Sequence, residues 1–365
     1  MGQLHSDDIK RVVVRGTNWV GDSVMTIPAL RALRRLLPKS EITLVMRPWA
    51  HGLFSGADFV DDLLIYDRRN AFSALRQVRI WKDRKFDLAI LFQNAFEAAF
   101  IPFLAGVPNR LGYATESRQV MLTNPVQLPD WRSNEHEVFY YLYLIASLEH
   151  SLFGTNTVCE NPPDASLEVS EPRKEEARGL LQQYGVAPEG SIVAICPGSI
   201  NSRAKRWPAE SYASLADRLI EAGKQVLLIG SKGETDVSLE VTKRMHHTPI
   251  DLTGRTSLDQ LTGVLSVSDL IVTNDTGPAH LASALGRPTL VIFGPTNPST
   301  TRPFSPEAQI LRHPPDCAPC MLRDCPIDHR CMTAITVDEV LEQATVLLKR
   351  ASFAKTVRRV CDSVA

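Results

Sequence analysis

The chain has 365 residues, enough for two domains of ordinary size, each with its own core. Lys plus Arg number 40 against 41 Asp plus Glu, so no bulk charge argues for nucleic acid or another polyanionic partner. Residues 1–10 are polar, and even the most apolar stretch, 139–148, falls short of the roughly 20 residues a membrane span needs, so a soluble cytoplasmic protein without a signal peptide is expected.

The first half, residues 1–155, reads as one Rossmann-like domain. Arg11-Val-Val-Val-Arg15 is a short apolar run bounded by charge, as a buried parallel strand should be. Gly16-Thr-Asn-Trp-Val-Gly21-Asp22 follows, and then apolar positions Val24, Ile27, Leu30, Leu33 and Leu37 recur at helical spacing. The loop matches neither GxGxxG nor a Walker A pattern, so it assigns no nucleotide; it suits phosphate or sugar, with Asn18 a candidate contact. Asp22 reads as an N-cap, or as a loop residue if Pro28 delays the helix and leaves the carboxylate free to point into a cleft.

Further strands are expected at residues 42–46, 63–66 and 88–92, with helices near 70–83 and 96–104. This alternation argues for a doubly wound α/β sheet. Gln93 and Asn94 end the third of these strands and are candidates to line the cleft, or to be a satisfied loop pair. Arg76, Arg79, Lys82 and Lys85 recur every three residues with Arg84 beside them. That is a solvated basic face or, together with Arg34, Arg35 and Lys39, a contact for an anionic membrane. Residues 109–118 read as a polar loop whose Arg110 and Arg118 suit an acidic acceptor group, because the guanidinium fork donates two parallel bonds.

Residues 156–166, with Asn161-Pro-Pro-Asp164, read as a linker. The pattern restarts in a second Rossmann-like domain over residues 167–350, followed by a tail, 351–365, expected to pack on the first domain. The strand 192–195 ends in Cys196-Pro-Gly-Ser199, and Lys205-Arg-Trp-Pro208 stands just before a helix. A Gly–Ser turn with a lysine close behind suits a diphosphate clamp; a surface loop with ordinary charges is the bland alternative. Glu234 sits beyond the strand 225–230, where a carboxylate commonly accepts from ribose hydroxyls. Leu270-Ile-Val272 then leads into Asn274-Asp-Thr-Gly-Pro-Ala-His280, a buried strand, a polar turn and a helix opening near Pro278. Asp275 or Thr276 can cap that helix, and its N-terminus favours an anion such as phosphate. These loops leave one edge of the predicted sheet, which argues for a single nucleotide-sized cleft.

Four of the seven cysteines crowd into Cys317-x2-Cys320-x4-Cys325-x5-Cys331. That spacing suits a structural Zn²⁺ site or an iron–sulfur cluster, with free thiols or local disulfides as competing readings. No catalytic role is assigned to it. Residues 336–349 close the domain as an amphipathic helix.

Gly21-Asp22 before Thr26-Ile-Pro-Ala-Leu-Arg-Ala-Leu33, Pro197-Gly-Ser199 with Lys205-Arg-Trp-Pro208, and Asn274-Asp-Thr-Gly-Pro-Ala-His280 together resemble glycosyltransferase family 9. That family holds the ADP-heptose:lipopolysaccharide heptosyltransferases. The likeness covers nearly the whole chain in order, and Lys-Arg-Trp-Pro with the late cysteines is most like the type that adds the second inner-core heptose. The resemblance implies a GT-B fold, two Rossmann-like domains facing each other across a cleft. It implies inversion without a catalytic metal, an ADP-heptose donor, a lipid A-linked Kdo/heptose acceptor, and peripheral contact with the inner face of the cytoplasmic membrane. It makes Asp22 the general base. Lys205 would meet phosphate, Glu234 the ribose and Asp275 the heptose, while Thr276, Gly277 and His280 would meet the diphosphate, with Ser199 beside them. A sugar-nucleotide epimerase and a non-catalytic nucleotide-binding module are the alternatives of other classes.

Overall fold

A computed structural model describes residues 5–362 apart from Arg69 and Glu116, without the side chains of Ala71 and of residues 354–362. The chain divides into two compact units, Met1–Ala165 and Ser166–Ala365.

In the first unit the elements run β1 (Arg11–Arg15), α1 (Val20–Met25), α2 (Ile27–Leu36), β2 (Glu41–Met46), α3 (His51–Phe54), β3 (Asp62–Ile65) and α4 (Ala71–Arg84). They continue β4 (Leu88–Leu91), α5 (Phe96–Leu104), β5 (Asn109–Tyr113), β6 (Asn124–Val126) and α6 (Glu137–Phe153). The six strands are parallel in the order β3-β2-β1-β4-β5-β6. Val12, Val13 and Val14 are fully buried, since helices cover both faces of a sheet wound this way.

Two local readings change. Residues 109–113 are not loop but strand β5, where Leu111 and Tyr113 are buried and a Cβ on Gly112 would lie 3.2 Å from Leu91 Cβ. Their polar and glycine-rich sequence hides the strand because its glycine answers to a close neighbour, not to a turn. Asp22 lies in the first turn of a short helix, α1, and not in the loop. Pro28 is accommodated by a break: α1 ends at Met25, Thr26 caps it, and α2 restarts with the proline in its first turn, where the missing N–H costs nothing.

The second unit runs α7 (Glu171–Gln183), β7 (Ile192–Cys196), α8 (Ala209–Glu221), β8 (Gln225–Leu228), α9 (Thr235–Thr242), β9 (Ile250–Asp251) and α10 (Leu258–Val267). It continues β10 (Leu270–Asn274), α11 (Gly277–Ala284), β11 (Thr289–Ile292), α12 (Pro298–Thr301), β12 (Ala308–Leu311), α13 (Arg330–Thr333) and α14 (Val337–Asp362). Its parallel sheet has the order β12-β11-β10-β7-β8-β9, the same winding as the first. Trp207, Tyr212, Leu215 and Leu219 from α8 and the stretch before it join Val340, Ala344 and Leu347 of α14 in one core against β7 and β10. Each such large side chain contributes roughly 1.5–3 kcal/mol of burial free energy. Edge strand β12 escapes the sequence reading because its four residues are only half-buried.

No helix among the described residues is long and apolar enough to cross a membrane. The backbone of the tail is helical as far as Asp362. Its expected packing rests on side chains that lie largely outside the described residues.

Candidate active site

In each sheet the winding reverses between two central strands, β1 and β4 in the first and β7 and β10 in the second. The crevice beyond the carboxyl ends of such strands is where open α/β sheets bind ligands. The residues singled out in the second unit converge on that place. Residues 197–199 follow β7, residues 275–276 lead from β10 into α11, and Glu234 follows the neighbouring β8.

Asp275 is 4 % exposed and is held from two sides. Lys205 Nζ lies 2.7 Å from its Oδ2 and donates to its carbonyl at 3.2 Å, while Thr296 Oγ1 donates to Oδ2 at 2.7 Å. Lys205 and Asp275, read separately from the sequence, are therefore one ion pair, with the ammonium held beside the first turn of α11. Thr276 is the N-cap of that helix but makes no side-chain capping bond. Pro278 has no N–H and the Ala279 amide donates to the Thr276 carbonyl at 3.0 Å, so the Gly277 amide is the one at the helix start that is left to face a ligand. Its hydroxyl lies 3.2 Å from Thr273 Oγ1 instead. Gly277 opens the helix, and His280 is buried one turn along.

Glu234 is 7 % exposed and accepts from the Ser231 amide and hydroxyl, both at 2.8 Å. A Cβ on Gly198 would fall 2.3 Å from Glu234 Oε1, so the glycine is what lets the β7 turn and this carboxylate share the edge. Ser199 is buried, and its carbonyl accepts from Arg206 Nη2 at 2.8 Å.

Asn274 joins these pieces. Fully buried, it donates Nδ2 to the carbonyls of Pro197 (2.9 Å) and Gly198 (3.1 Å). Its Oδ1 accepts from the Trp207 amide (3.0 Å) and the Tyr212 hydroxyl (2.9 Å). One amide thus fixes the β7 turn, the approach to α8 and the end of β10. Sequence reading placed Asn274 inside a motif but gave it no role, because its partners lie far away along the chain.

The cysteine-rich segment packs on the lysine loop. His329 Nε2 lies 2.6 Å from the Ala204 carbonyl, the Ala204 amide donates to Arg323 O at 2.9 Å, and Arg203 pairs with Asp324 at 2.6 Å. The thiols of Cys317, Cys320, Cys325 and Cys331 are free, and among the described residues no three His, Cys, Asp or Glu are placed to hold a metal ion. The structural Zn²⁺ site that the spacing suits thus has no ligand cluster behind it among the described residues. Burial, and then the charges of the other three cysteines, push the Cys331 thiol up to about 11, so it stays protonated near neutral pH. What the segment does visibly, through Leu322, Arg323, Asp324 and His329, is hold the loop that carries Lys205.

In the first unit Asp22 is half-buried near the buried Tyr141 of α6, whose hydroxyl is pushed well above its ordinary range by burial and then by the Asp22 charge. Asn18 accepts from Arg47 Nε at 3.0 Å, tying the β1–α1 loop to the end of β2. Asn94 donates to Tyr140 O–H at 2.7 Å. Arg118, fully buried, donates to the carbonyls of Tyr113 and Gln93 and, at 2.8 Å, to Asn94 Oδ1. Its guanidinium thus shapes the edge from beneath. Arg110 is the second residue of β5 and therefore stands at the opposite end of the strands from Asp22, bonded to the carbonyls of Met121 and Val107 and stacked 5.6 Å over Phe103. The structure keeps Asn18, Gln93 and Asn94 at the Asp22 edge and sets Arg110 apart from them. Arg15 and Arg47, at the ends of β1 and β2, went unremarked in the sequence because each looks like the charged boundary of an apolar strand.

The comparisons with known proteins agree on the family. Residues 75–330 match the model of glycosyltransferase family 9 (heptosyltransferase). Lipopolysaccharide heptosyltransferase 2 of Escherichia coli (strain K12) is 30% identical over 319 residues, covering 83% of this chain and 88% of the relative. Lipooligosaccharide heptosyltransferase 2 of Haemophilus ducreyi is 30% identical over 314 residues, with the same coverage of both chains. Among solved structures, the E. coli ADP-heptose LPS heptosyltransferase II superposes with a TM-score of 0.79 at 28% identity, over 94% of this chain and 99% of that one. A family 9 glycosyltransferase from Veillonella parvula shares the fold, with a TM-score of 0.80 at 23% identity over 96% of this chain and 100% of that one. Two Rossmann-like units of the GT-B type, with the motif residues at their switch points, make this chain a glycosyltransferase, and it belongs to glycosyltransferase family 9, the heptosyltransferases.

Proposed function

We propose that the protein transfers L-glycero-D-manno-heptose from ADP-heptose to heptosyl-Kdo₂-lipid A, inverting the anomeric centre. The observation that carries the donor half is the Lys205–Asp275–Thr296 cluster beside the uncapped first turn of α11. As the glycosidic bond to ADP breaks, negative charge grows on the diphosphate. An ammonium already held in place and a helix-end amide stabilise that charge without reorganising. Glu234 takes the ribose hydroxyls, and Asp275 the heptose hydroxyls with the oxygen that its two partners leave over. Ser199, Thr276, Gly277 and His280 complete the donor contacts.

Inversion needs a single in-line attack, so one base must take the acceptor hydroxyl's proton as the new bond forms. Asp22 is that base. A carboxylate in the first turn of a helix is favoured in its ionised form, the form a base requires. Asn18, Gln93 and Asn94 line the acceptor's place.

The acceptor is lipid-anchored, and the protein meets it as a cytoplasmic enzyme held peripherally on the inner face of the membrane. Arg76, Arg79 and Lys82 are exposed along α4, with Phe72 (79 % exposed) and Leu75 beside them. The neighbouring α5 exposes Phe96, Phe100, Phe103 and Leu104 on one face. Apolar side chains rimmed by arginine and lysine suit a bilayer with anionic headgroups.

A mass-spectrometric transfer assay tests the whole reading, with ADP-heptose as donor and heptosyl-Kdo₂-lipid A and Kdo₂-lipid A as parallel acceptors. Transfer to the first alone is expected. Transfer to Kdo₂-lipid A alone would move the protein to the first heptose, and conversion of ADP-heptose without acceptor would make it an epimerase.

A further inference from the structure

We infer that Arg15 and Arg47 form an anion subsite in the first unit that grips a carboxylate or phosphate of the acceptor saccharide. The inference rests on the proposed transferase reading for the identity of the acceptor, and on the following geometry for the site.

β1 ends at Arg15, which pairs in register with Val45 of β2, and Arg47 follows Val45 by two residues. Both guanidinium groups therefore emerge at the carboxyl edge of adjacent central strands, the edge that also carries Asn18 and Asp22. Arg15 is 2 % exposed. Its Nη1 reaches the Val45 carbonyl only at 3.4 Å, its ring neighbour is Tyr66 at 5.1 Å, and its Nε is buried without a hydrogen-bond partner. Burial, and then the like charge of Arg47, bring its guanidinium down to about 10.

A buried cation with an unmet donor is costly unless something answers it. The charge of the nearby Glu97 offsets this only in small part, because its hydrogen bonds go elsewhere: it accepts from the Tyr66 hydroxyl and from Arg68 Nε, each at 2.7 Å. The guanidinium fork matches two oxygens of a carboxylate or phosphate, and an anion between two arginines would remove their mutual repulsion. Access is available because Arg47 and Asn18, joined at 3.0 Å, are half-buried and form the mouth above the floor made by Arg15. Asn18 precedes Asp22 by four residues in one loop. An anion held here would set a neighbouring hydroxyl of the same saccharide toward the Asp22 carboxylate.

The full chain and its Arg47→Gln, Arg47→Lys and Arg15→Lys variants decide the matter. Calorimetric titration uses the Kdo disaccharide and its carboxyl-reduced form. Steady-state kinetics use O-deacylated heptosyl-Kdo₂-lipid A in native, carboxyl-reduced and dephosphorylated forms. Losing charge-assisted bonds at one anion predicts about a tenfold or larger rise in acceptor KM for Arg47→Gln, with the ADP-heptose KM unchanged. Arg47→Lys, keeping charge without the fork, should recover part of the loss, and Arg15→Lys should fall between. The penalty should vanish on the carboxyl-reduced acceptor if a carboxylate is bound, and on the dephosphorylated one if a phosphate is. Equal losses on all three acceptors, or a parallel rise in donor KM, would overturn the subsite. Disaccharide binding that depends on Arg47 in a protein that transfers no heptose would keep the subsite and sink the transferase reading. Efficient transfer indifferent to Arg47 would do the reverse.

Discussion

Asp22 and Asp275 each follow a central strand of a sheet wound the same way, and each stands beside the first turn of a helix. Asp275 is 4 % exposed and clamped by Lys205 and Thr296, while Asp22 is half-buried on a six-residue helix beside Tyr141. Bonded to an ammonium and to a hydroxyl, each at 2.7 Å, the Asp275 carboxylate is held in one orientation. Asp22 lies in the first turn of α1, where a carboxylate is favoured by the helix N-terminus, and its charge acts on the Tyr141 hydroxyl. Two switch-point positions, one after the first strand of its sheet and one after the fourth, thus take different chemistry from their neighbours.

The most direct way to break that contrast is to neutralise each aspartate in turn. Asp22→Asn keeps the shape and removes the proposed base. Its kcat should fall by roughly 10²–10⁴-fold, the usual worth of a general base, with the ADP-heptose KM near the parent value. Near-normal kcat in this variant would take the proton-accepting role away from Asp22.

Lys205 tests the other side. Lys205→Ala leaves Asp275 buried and uncompensated, a change that costs about 3–5 kcal/mol when a buried pair is broken. Because Lys205 is partly exposed, the lower end applies. Denaturant unfolding should show this loss, and Lys205→Ala with Asp275→Asn together should recover much of the stability but none of the turnover. If the double variant is no more stable than the single one, the pair is not what holds Asp275.

How much of this was open to a reader of the sequence alone depended on distance along the chain. The parallel α/β units were legible because buried strands such as 11–15 and 192–195 are short apolar runs between charges, and the helices after them repeat at helical spacing. The motif 274–280 was legible as a site because its polar residues are consecutive. The Lys205–Asp275 pair was not, since it spans 70 residues, and neither were the four bonds of Asn274. Arg118 and Arg110 misled for a related reason. An arginine in a polar stretch looks available, and only the fold shows one buried under Asn94 and the other at the far end of β5. Strands β6 and β12 were hidden because edge strands lack the continuous apolar run that full burial imposes, and β5, one strand in, because its polar start and close-packed Gly112 read as a loop.

Asn274 offers a structural counterpart to the aspartate pair, since it carries no charge and holds the donor edge by geometry alone. Asn274→Ala would orphan the Pro197 and Gly198 carbonyls, the Trp207 amide and the Tyr212 hydroxyl. Each buried group left unsatisfied costs roughly 1–3 kcal/mol, and relaxation will recover part, so a net loss of about 2–4 kcal/mol is expected. Donor KM should rise as the β7 turn and Lys205 lose their common support, while kcat at saturating donor changes little. A variant as stable as the parent would show that the turn is held by its neighbours instead.

The smallest effect should come from a third carboxylate, Glu149, which is buried like Asp275 but held by neutral donors. Burial pushes its pKa up, yet bonds from the Thr157 hydroxyl, the Val158 amide, Thr155 and the Thr157 amide outweigh that and hold it at about 2. Because the folded value lies below that of an unfolded glutamate, about 4.3, the stability it contributes is present above that pH and is lost as pH falls towards 2. Glu149→Gln keeps one acceptor oxygen and turns an N–H toward a donor, so a loss of about 1–2 kcal/mol near neutral pH is expected, with kcat unchanged. The gap between variant and parent should narrow as the pH of unfolding is lowered from about 5 towards 2. A gap that stays constant over that range would mean the carboxylate's charge does not matter there. Charge would then be decisive only where this fold sets it beside a lysine or a substrate, which is the distinction between Asp275 and Asp22 carried to a residue with neither.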